Sequence, residues 1–209
     1  ALMARLRTGA AALALGLDEA QLARLMEFLA LLQKWNKVYN LTAVRAPADM
    51  LTHHLLDSLA VITPLRQKLT ALRPNGSADA SARVLDVGSG AGLPGVVIAI
   101  CCPELDVTCV DTVGKKAAFV QQVAATLRLP NLRGLHARVE SLNGPFDLIC
   151  SRAFASLADF VTWSRAALAP GGSTEQLLAS STQFAVDLGE RLQRRVYDRI
   201  IPALSQAVA

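Results

Sequence analysis

The residues best suited to chemistry lie in one run, Val84-Leu85-Asp86-Val87-Gly88-Ser89-Gly90-Ala91-Gly92-Leu93-Pro94-Gly95, an apolar strand that feeds glycines and then opens a helix. Glycines are wanted where a tight turn needs permissive dihedrals and where a ligand must reach bare backbone. Gly90, Gly92 and Gly95 satisfy the GxGxxG spacing of dinucleotide folds, which by itself is a weak sign. Asp111 ends the next strand, 23 positions after Gly88, where it could accept hydrogen bonds from ribose hydroxyls. NAD and S-adenosylmethionine both carry such a ribose. Asp86, two residues before Gly88, separates the two: dinucleotide folds usually have an apolar residue there, and a pyrophosphate wants the amides of a helix N-terminus. The methionine end of S-adenosylmethionine brings an ammonium and a sulfonium beside its carboxylate, so an acid near the turn suits it better.

Alternating strands and helices must hold this loop in place. Arg83 to Val87 reads as a strand, Gly95 towards Cys101 as a helix, Val107 to Val110 as a strand and Gly114 to Leu127 as a helix. Leu132 to Ala137 and Phe146 to Cys150 follow as strands, and Ser156 to Leu168 as a helix before Pro170-Gly171-Gly172. Such alternation implies an α/β, Rossmann-like parallel sheet with right-handed crossovers and a ligand at the carboxyl ends of its strands. Upstream, Leu17 to Val38 places Leu22, Leu25, Met26, Leu29 and Leu32 on one helical face, with Asp18 and Gln21 as a capping pair. A turn over Asn36 to Thr42 leads to a second helical segment, from Pro47 to a stop near Pro64. The Pro-, Gly- and Ser-rich stretch from Arg73 to Ala82 marks a boundary. The organisation is thus an N-terminal helical extension over 1–73, a ligand-binding α/β core over 83–172 and a C-terminal segment over 173–209.

Composition limits the possible classes. Hydrophobic residues at 52% with charged residues at 18% exclude disorder, and no apolar run approaches a membrane span. Arg5 and Arg7 before the run Ala10 to Leu15 outline a short signal peptide, but the cleavage-like step is poor and an ordinary helix start follows. Cys101, Cys102, Cys109 and Cys150 form no CxxC pair and read as reduced, buried hydrophobes, which points to the cytoplasm and to no metal. Residues 1–73 hold nine Lys or Arg against five Asp or Glu, so the basic excess sits in the helical part. That suits a phosphate-rich partner such as RNA, and solvated helix faces explain the same numbers.

Several segments together resemble one family, the bacterial 16S rRNA guanine-N7 methyltransferases called RsmG or GidB. They are Trp35-Asn36-Lys37-Val38-Tyr39-Asn40-Leu41-Thr42, His54-Leu55-Leu56-Asp57-Ser58-Leu59, Asp86 to Gly95, Asp111 to Lys116, Arg138-Val139-Glu140 and Ser151-Arg152-Ala153-Phe154-Ala155-Ser156-Leu157. Leu168-Ala169-Pro170-Gly171-Gly172 looks like the LxPGG turn before the fifth strand of class I methyltransferases. The resemblance spans residues 35 to 172 and implies S-adenosylmethionine as methyl donor. Gly88, Leu93, Val139, Glu140 and Arg152 would contact it, with Gly90, Gly92 and Asp111 close by. The partner it implies is small-subunit ribosomal RNA or the assembling subunit; a monomer is the default expectation, on which the sequence itself is silent.

Candidate RNA contacts are Asn36, Asn40, His54, Lys115 and Lys116. His54 and Asp57 stand three apart on a helix and are expected to pair with each other. Neither is required as a general base, because N7 of neutral guanine carries no proton and already offers a lone pair. Two departures stand out: family members usually have Arg where this chain has His53, and from Ser173 onward the sequence reads as polar and helix-like, without an alignable strand. Two rival readings remain open, a methyltransferase of this fold acting on a small molecule or protein, and an RNA- or nucleotide-binding protein that keeps the fold without chemistry.

Overall fold

A computed structural model describes residues 1–72, 81–142, 144–152, 157–168 and 177–179. Its centre is a parallel sheet of β1 (Arg83–Val87), β2 (Asp106–Asp111), β3 (Leu132–His136), β4 (Leu148–Ser151) and β5 (Leu177–Ala179), in the order β3-β2-β1-β4-β5. The chain runs outward from β1 through β2 to β3, then returns to the other side of β1 for β4. That reversal opens a crevice between the carboxyl ends of β1 and β4, where open α/β sheets bind ligands. The glycine loop leaves β1 at this point, and Arg152 immediately follows β4.

β1, β4 and most of β2 are buried on both faces, as strands covered by helices on both sides must be, whereas β3 is largely exposed. Val84, Val107, Cys109, Leu148 and Cys150 face one core with α6 (Gly95–Cys101), every residue of which is buried. Leu85, Val87, Val110 and Ile149 face a smaller core with Phe160 of α8 (Leu157–Ser164). The N-terminal helices do not stand apart. Leu6 of α1 (Leu2–Ala12) and Leu25, Phe28 and Leu32 of α2 (Glu19–Tyr39) join the first core, together with Leu55 and Leu59. The helical part and the sheet therefore share one continuous interior.

α2 begins on the capping box read from the sequence: Gln21 N–H donates to Asp18 Oδ1 at 2.7 Å and Asp18 N–H to Gln21 Oε1 at 3.0 Å. Gln21 Nε2 also donates to the Cys101 carbonyl at the amino-end side of the sheet, while Trp35 lies 5.4 Å from Phe119 in α7 (Gly114–Thr126), ring centre to ring centre. α2 consequently runs towards the carboxyl ends of the strands, and its last turn packs against α7.

Two expectations from sequence are corrected, and one stretch without an assignment proves helical. The segment after Pro47 does not run as one helix to Pro64: α3 (Pro47–Met50) passes into a π-helical turn (Leu51–Leu56), then α4 (Asp57–Leu59), and a separate α5 (Ile62–Leu72) begins. Pro64 sits in the first turn of α5, where the missing N–H would have had no partner. Leu2–Ala12 is a full helix, held by burial of Leu6 and Ala10. Past Gly172 the polar sequence includes a strand, β5, which pairs with β4 in the register Ile149↔Leu177 and Cys150↔Leu178 and adds a fifth strand to the described sheet. The expected boundary over 73–80, the turn over 169–172 and most of 173–209 lie outside the described residues. Among the described residues no helix is long and apolar enough to cross a membrane.

Candidate methyl-donor site

Asp86 controls the glycine loop. It projects to the α6 side of β1 between Cys109 and Cys150, its register partners, and is fully buried. Its Oδ2 accepts the Gly95 N–H at 2.8 Å, so the carboxyl caps α6 from beneath. Burial pushes its pKa up to about 7, against the pull of the Gly95 hydrogen bond. Among the described residues its buried Oδ1 has no hydrogen-bond partner.

The acid's role thus differs from the one expected. Asp86 does not reach out to a cationic ligand; it occupies the position at the helix N-terminus that a pyrophosphate would need. The neighbouring amides are taken as well. Gly88 and Ser89 N–H donate to the Val110 carbonyl, Gly90 N–H to Asp111 Oδ2 at 2.9 Å, Gly92 and Leu93 N–H to the Ser89 carbonyl, and Pro94 has none. A dinucleotide pyrophosphate would find no free cluster of amides here, whereas an uncharged adenosine with a cationic methionine tail needs none. The residues present fit S-adenosylmethionine and not NAD.

Gly88 shows where that ligand has room. Its φ is +64°, a conformation that L side chains rarely adopt, and a Cβ built on it would meet no atom within 4 Å. Gly92, with φ of +78°, is glycine for a second reason: a methyl there would press on Val96 and stand 3.1 Å from Val120. Asp111 is 6% exposed, and both its oxygens already serve the backbone, Oδ2 at Gly90 and Oδ1 at Val113 N–H, with Lys116 Nζ 3.9 Å from Oδ2. It ties the glycine loop to the end of β2 and keeps lone pairs for a hydroxyl. Leu93 and Val139 are buried; the exposed Glu140 is paired with Arg138 at 2.9 Å.

Arg152, half-buried, donates to the His53 carbonyl at 3.2 Å and stands 3.7 Å from Asp57 Oδ2. Burial raises the Asp57 pKa and the guanidinium opposes that rise. His54 and Asp57 do not pair as expected, because the π-turn rotates their faces apart: His54 Nε2 meets Thr42 Oγ1 at 2.8 Å, and Asp57 turns to Arg152. His54 is 4% exposed, and burial lowers its pKa to about 4. Asn36 is also turned inward, with Oδ1 accepting Thr42 N–H and Nδ2 donating to the Val44 carbonyl. Both are spent on the turn between α2 and α3. Asn40 and Lys115 are exposed, and Asn40 takes a left-handed φ of +48°. The turn's importance was signalled only by the Asn36–Thr42 spacing, and Thr42 as its hub was not singled out.

Two buried groups predict a pH response. Asp86 has a native pKa above its unfolded value, so its contribution is full below about pH 4 and is lost as pH rises through 7. His54 has a native pKa below its unfolded value, so its contribution is present above about pH 6.5 and is lost as pH falls through 4. Between those limits the two oppose each other. Urea unfolding of Asp86→Asn should lose stability on acidification from pH 6.5 to 4.5, by up to about 1.4 kcal/mol per pH unit. The unsubstituted protein should change less; parallel curves would show that Asp86 is ionised in the native state throughout.

The four cysteines are free and buried, and burial pushes the Cys101 thiol up to about 12, which suits apolar filling rather than nucleophiles. Among the described residues no cluster of His, Cys, Asp or Glu is arranged to hold a metal.

Comparison with known proteins agrees with the resemblance seen in the motifs. The family model for GidB, rRNA small subunit methyltransferase G, matches residues 21–183, past the point where the motifs end and through β5. Ribosomal RNA small subunit methyltransferase G of Acidovorax ebreus (strain TPSY) is 68% identical over 167 residues, covering 80% of this chain and 74% of that relative. The protein of the same name from Albidiferax ferrireducens (strain ATCC BAA-621 / DSM 15236 / T118) is 69% identical over 169 residues, covering 80% and 75%. With a glycine loop closed to pyrophosphate, a sheet in the order β3-β2-β1-β4-β5 and a match across most of its length, this chain belongs to the GidB family of rRNA small subunit methyltransferases.

Proposed function

We propose that this chain transfers the methyl group of S-adenosylmethionine to N7 of a guanine in small-subunit (16S) ribosomal RNA. The observation that carries the reading is the glycine loop itself, whose helix-capping position is filled by Asp86 while the space before Gly88 is open. Membership of the family supplies the substrate class.

The donor, when bound, supplies an electrophilic methyl on a sulfonium. The chain's part is to hold it and to orient the base. Gly88, Gly90, Gly92 and Leu93 form the floor beneath the donor, Asp111 the hydroxyl acceptor, and Val139 and Glu140 the edge after β3. Arg152 stands at the mouth, anchored by the His53 carbonyl and Asp57, and its fork of N–H groups suits a carboxylate or phosphate. No proton must leave guanine N7 before attack, so the reaction needs no general base, and His54, held against Thr42, and Asp57, beside Arg152, are given positioning roles. Alignment of nucleophile, methyl carbon and sulfur is then the main contribution, a proximity effect. The target guanine must be accessible or turned out of folded RNA. The chain acts as a monomer in the cytoplasm, which its reduced, buried thiols suit.

The test is incubation with radiolabelled S-adenosylmethionine and small ribosomal subunits from cells lacking the modification, followed by mapping of the label. Label on N7 of one guanine is the expected result. Donor binding without RNA labelling would discard the substrate and leave a methyltransferase of this fold acting on a small molecule or protein.

A further inference from the structure

The end of α2 carries an exposed aromatic ring that the interior does not use. Tyr39 is 40% exposed, and the adjacent Val38 is 70% exposed. The ring is nevertheless fixed: Trp35, one turn earlier, lies 5.0 Å from it at a 33° tilt and is itself backed by Phe119 of α7. Three aromatic side chains thus run in a row from the core to solvent, and only the outermost presents a face. A solvated tyrosine has no need of such support, whereas a stacking platform gains from being held still.

The surroundings are basic. No acidic residue occurs between Glu27 and Asp49, an interval that contains Lys34, Lys37 and Arg45, all exposed. Arg45 Nη2 donates to Asn40 Oδ1 at 3.2 Å, which brings a guanidinium next to the residue that follows Tyr39. Lys115, one turn before Phe119 in α7, is exposed as well. The platform is also tied to the donor crevice through few links. Thr42, three residues after Tyr39, meets His54, and the carbonyl of the preceding His53 accepts from Arg152 at the end of β4.

We infer that Tyr39 is a base-stacking platform for single-stranded nucleotides of the RNA substrate at the rim of the donor crevice, with Lys37, Arg45 and Lys115 neutralising the adjoining phosphates. An aromatic face flanked by cations is how proteins hold unpaired nucleotides without reading their sequence, at about 1–3 kcal/mol per stacked base. The platform would steady the strand next to the turned-out guanine. This inference rests on the RNA reading given under Proposed function.

The test compares Tyr39→Ala and Tyr39→Phe, using unmodified small ribosomal subunits as the RNA probe and measuring KM for the subunit, kcat, S-adenosylmethionine affinity and melting temperature. Tyr39→Ala should raise KM for the subunit by about fivefold to 150-fold, the range that one stacked base implies. Tyr39→Phe, which keeps the ring, should stay within about twofold of the original protein. Donor affinity should be unchanged in both variants. An unaltered KM in Tyr39→Ala, or an equal loss in Tyr39→Phe, would overturn the stacking role. If the original protein neither binds nor labels the subunit, the RNA reading fails together with this inference. If it labels normally and Tyr39→Ala does too, the platform alone is refuted.

Discussion

Gly95→Ala is expected to destabilise the folded protein by about 3–5 kcal/mol, the sum of overpacking in a tight core and loss of a hydrogen bond to a buried acid. Gly95 is the first residue of α6, and the helix rests so close to the sheet that a methyl group there would overlap Cys109 Sγ and stand 2.8 Å from Asp86 Oδ2. Neither neighbour is the free end of a flexible chain. Cys109 is fixed in β2 and Asp86 in β1, both fully buried, so α6 itself must lift. Lifting α6 breaks the Gly95 N–H bond to Asp86 and leaves that carboxyl with neither oxygen bonded to an amide. The loss is a large part of a domain's usual margin of about 5–15 kcal/mol. Gly9 makes the contrast: an added methyl there crowds the buried side chain of Leu56, but it touches no strand and breaks no hydrogen bond to a buried acid, and a helix interior favours alanine. Urea unfolding should show a far lower midpoint for Gly95→Ala than for Gly9→Ala. Equal midpoints would mean that Asp86 does not clamp α6 as described.

The same residues show what the sequence makes legible. The strands after Arg83 were readable because buried parallel strands are short apolar runs separated by helix-period segments, a local signal. The α2 start was readable for the same reason, since a capping box lies within four residues. Asp86 was legible as a mark of a methyl-donor loop but not as a buried cap, because its direction depends on how closely α6 packs on β1, a contact nine residues away. His54 and Asp57 misled similarly. Their spacing implies one helix face, and only the π-turn, which Thr42 and Arg152 hold from two other parts of the chain, sends them to different partners. β5 was hidden for another reason: a three-residue strand in a polar setting gains its structure from pairing with β4 and has almost no pattern of its own.

Gly88→Asp should abolish donor binding while leaving the fold nearly intact, the reverse of Gly95→Ala. A side chain at φ of +64° is strained by about 1–2 kcal/mol for most residues, and by less for Asp and Asn, which enter this region more readily than others. Among the described residues no atom beyond its chain neighbours lies within 4 Å of the new Cβ, so nothing in β2, β4 or α6 has to move for it. The added atoms instead enter the open space beside β1, where the proposed donor's methionine end would lie against bare backbone. Calorimetric titration with S-adenosylmethionine should show at least a 100-fold loss of affinity, about 2.7 kcal/mol, whereas the melting temperature falls by only a few degrees. Gly88→Asn separates volume from charge: an equal loss there assigns the effect to the space filled, and a much smaller one to the carboxylate. Unchanged affinity in both folded variants would move the donor away from Gly88, and with it the argument that a loop closed to pyrophosphate is open to S-adenosylmethionine.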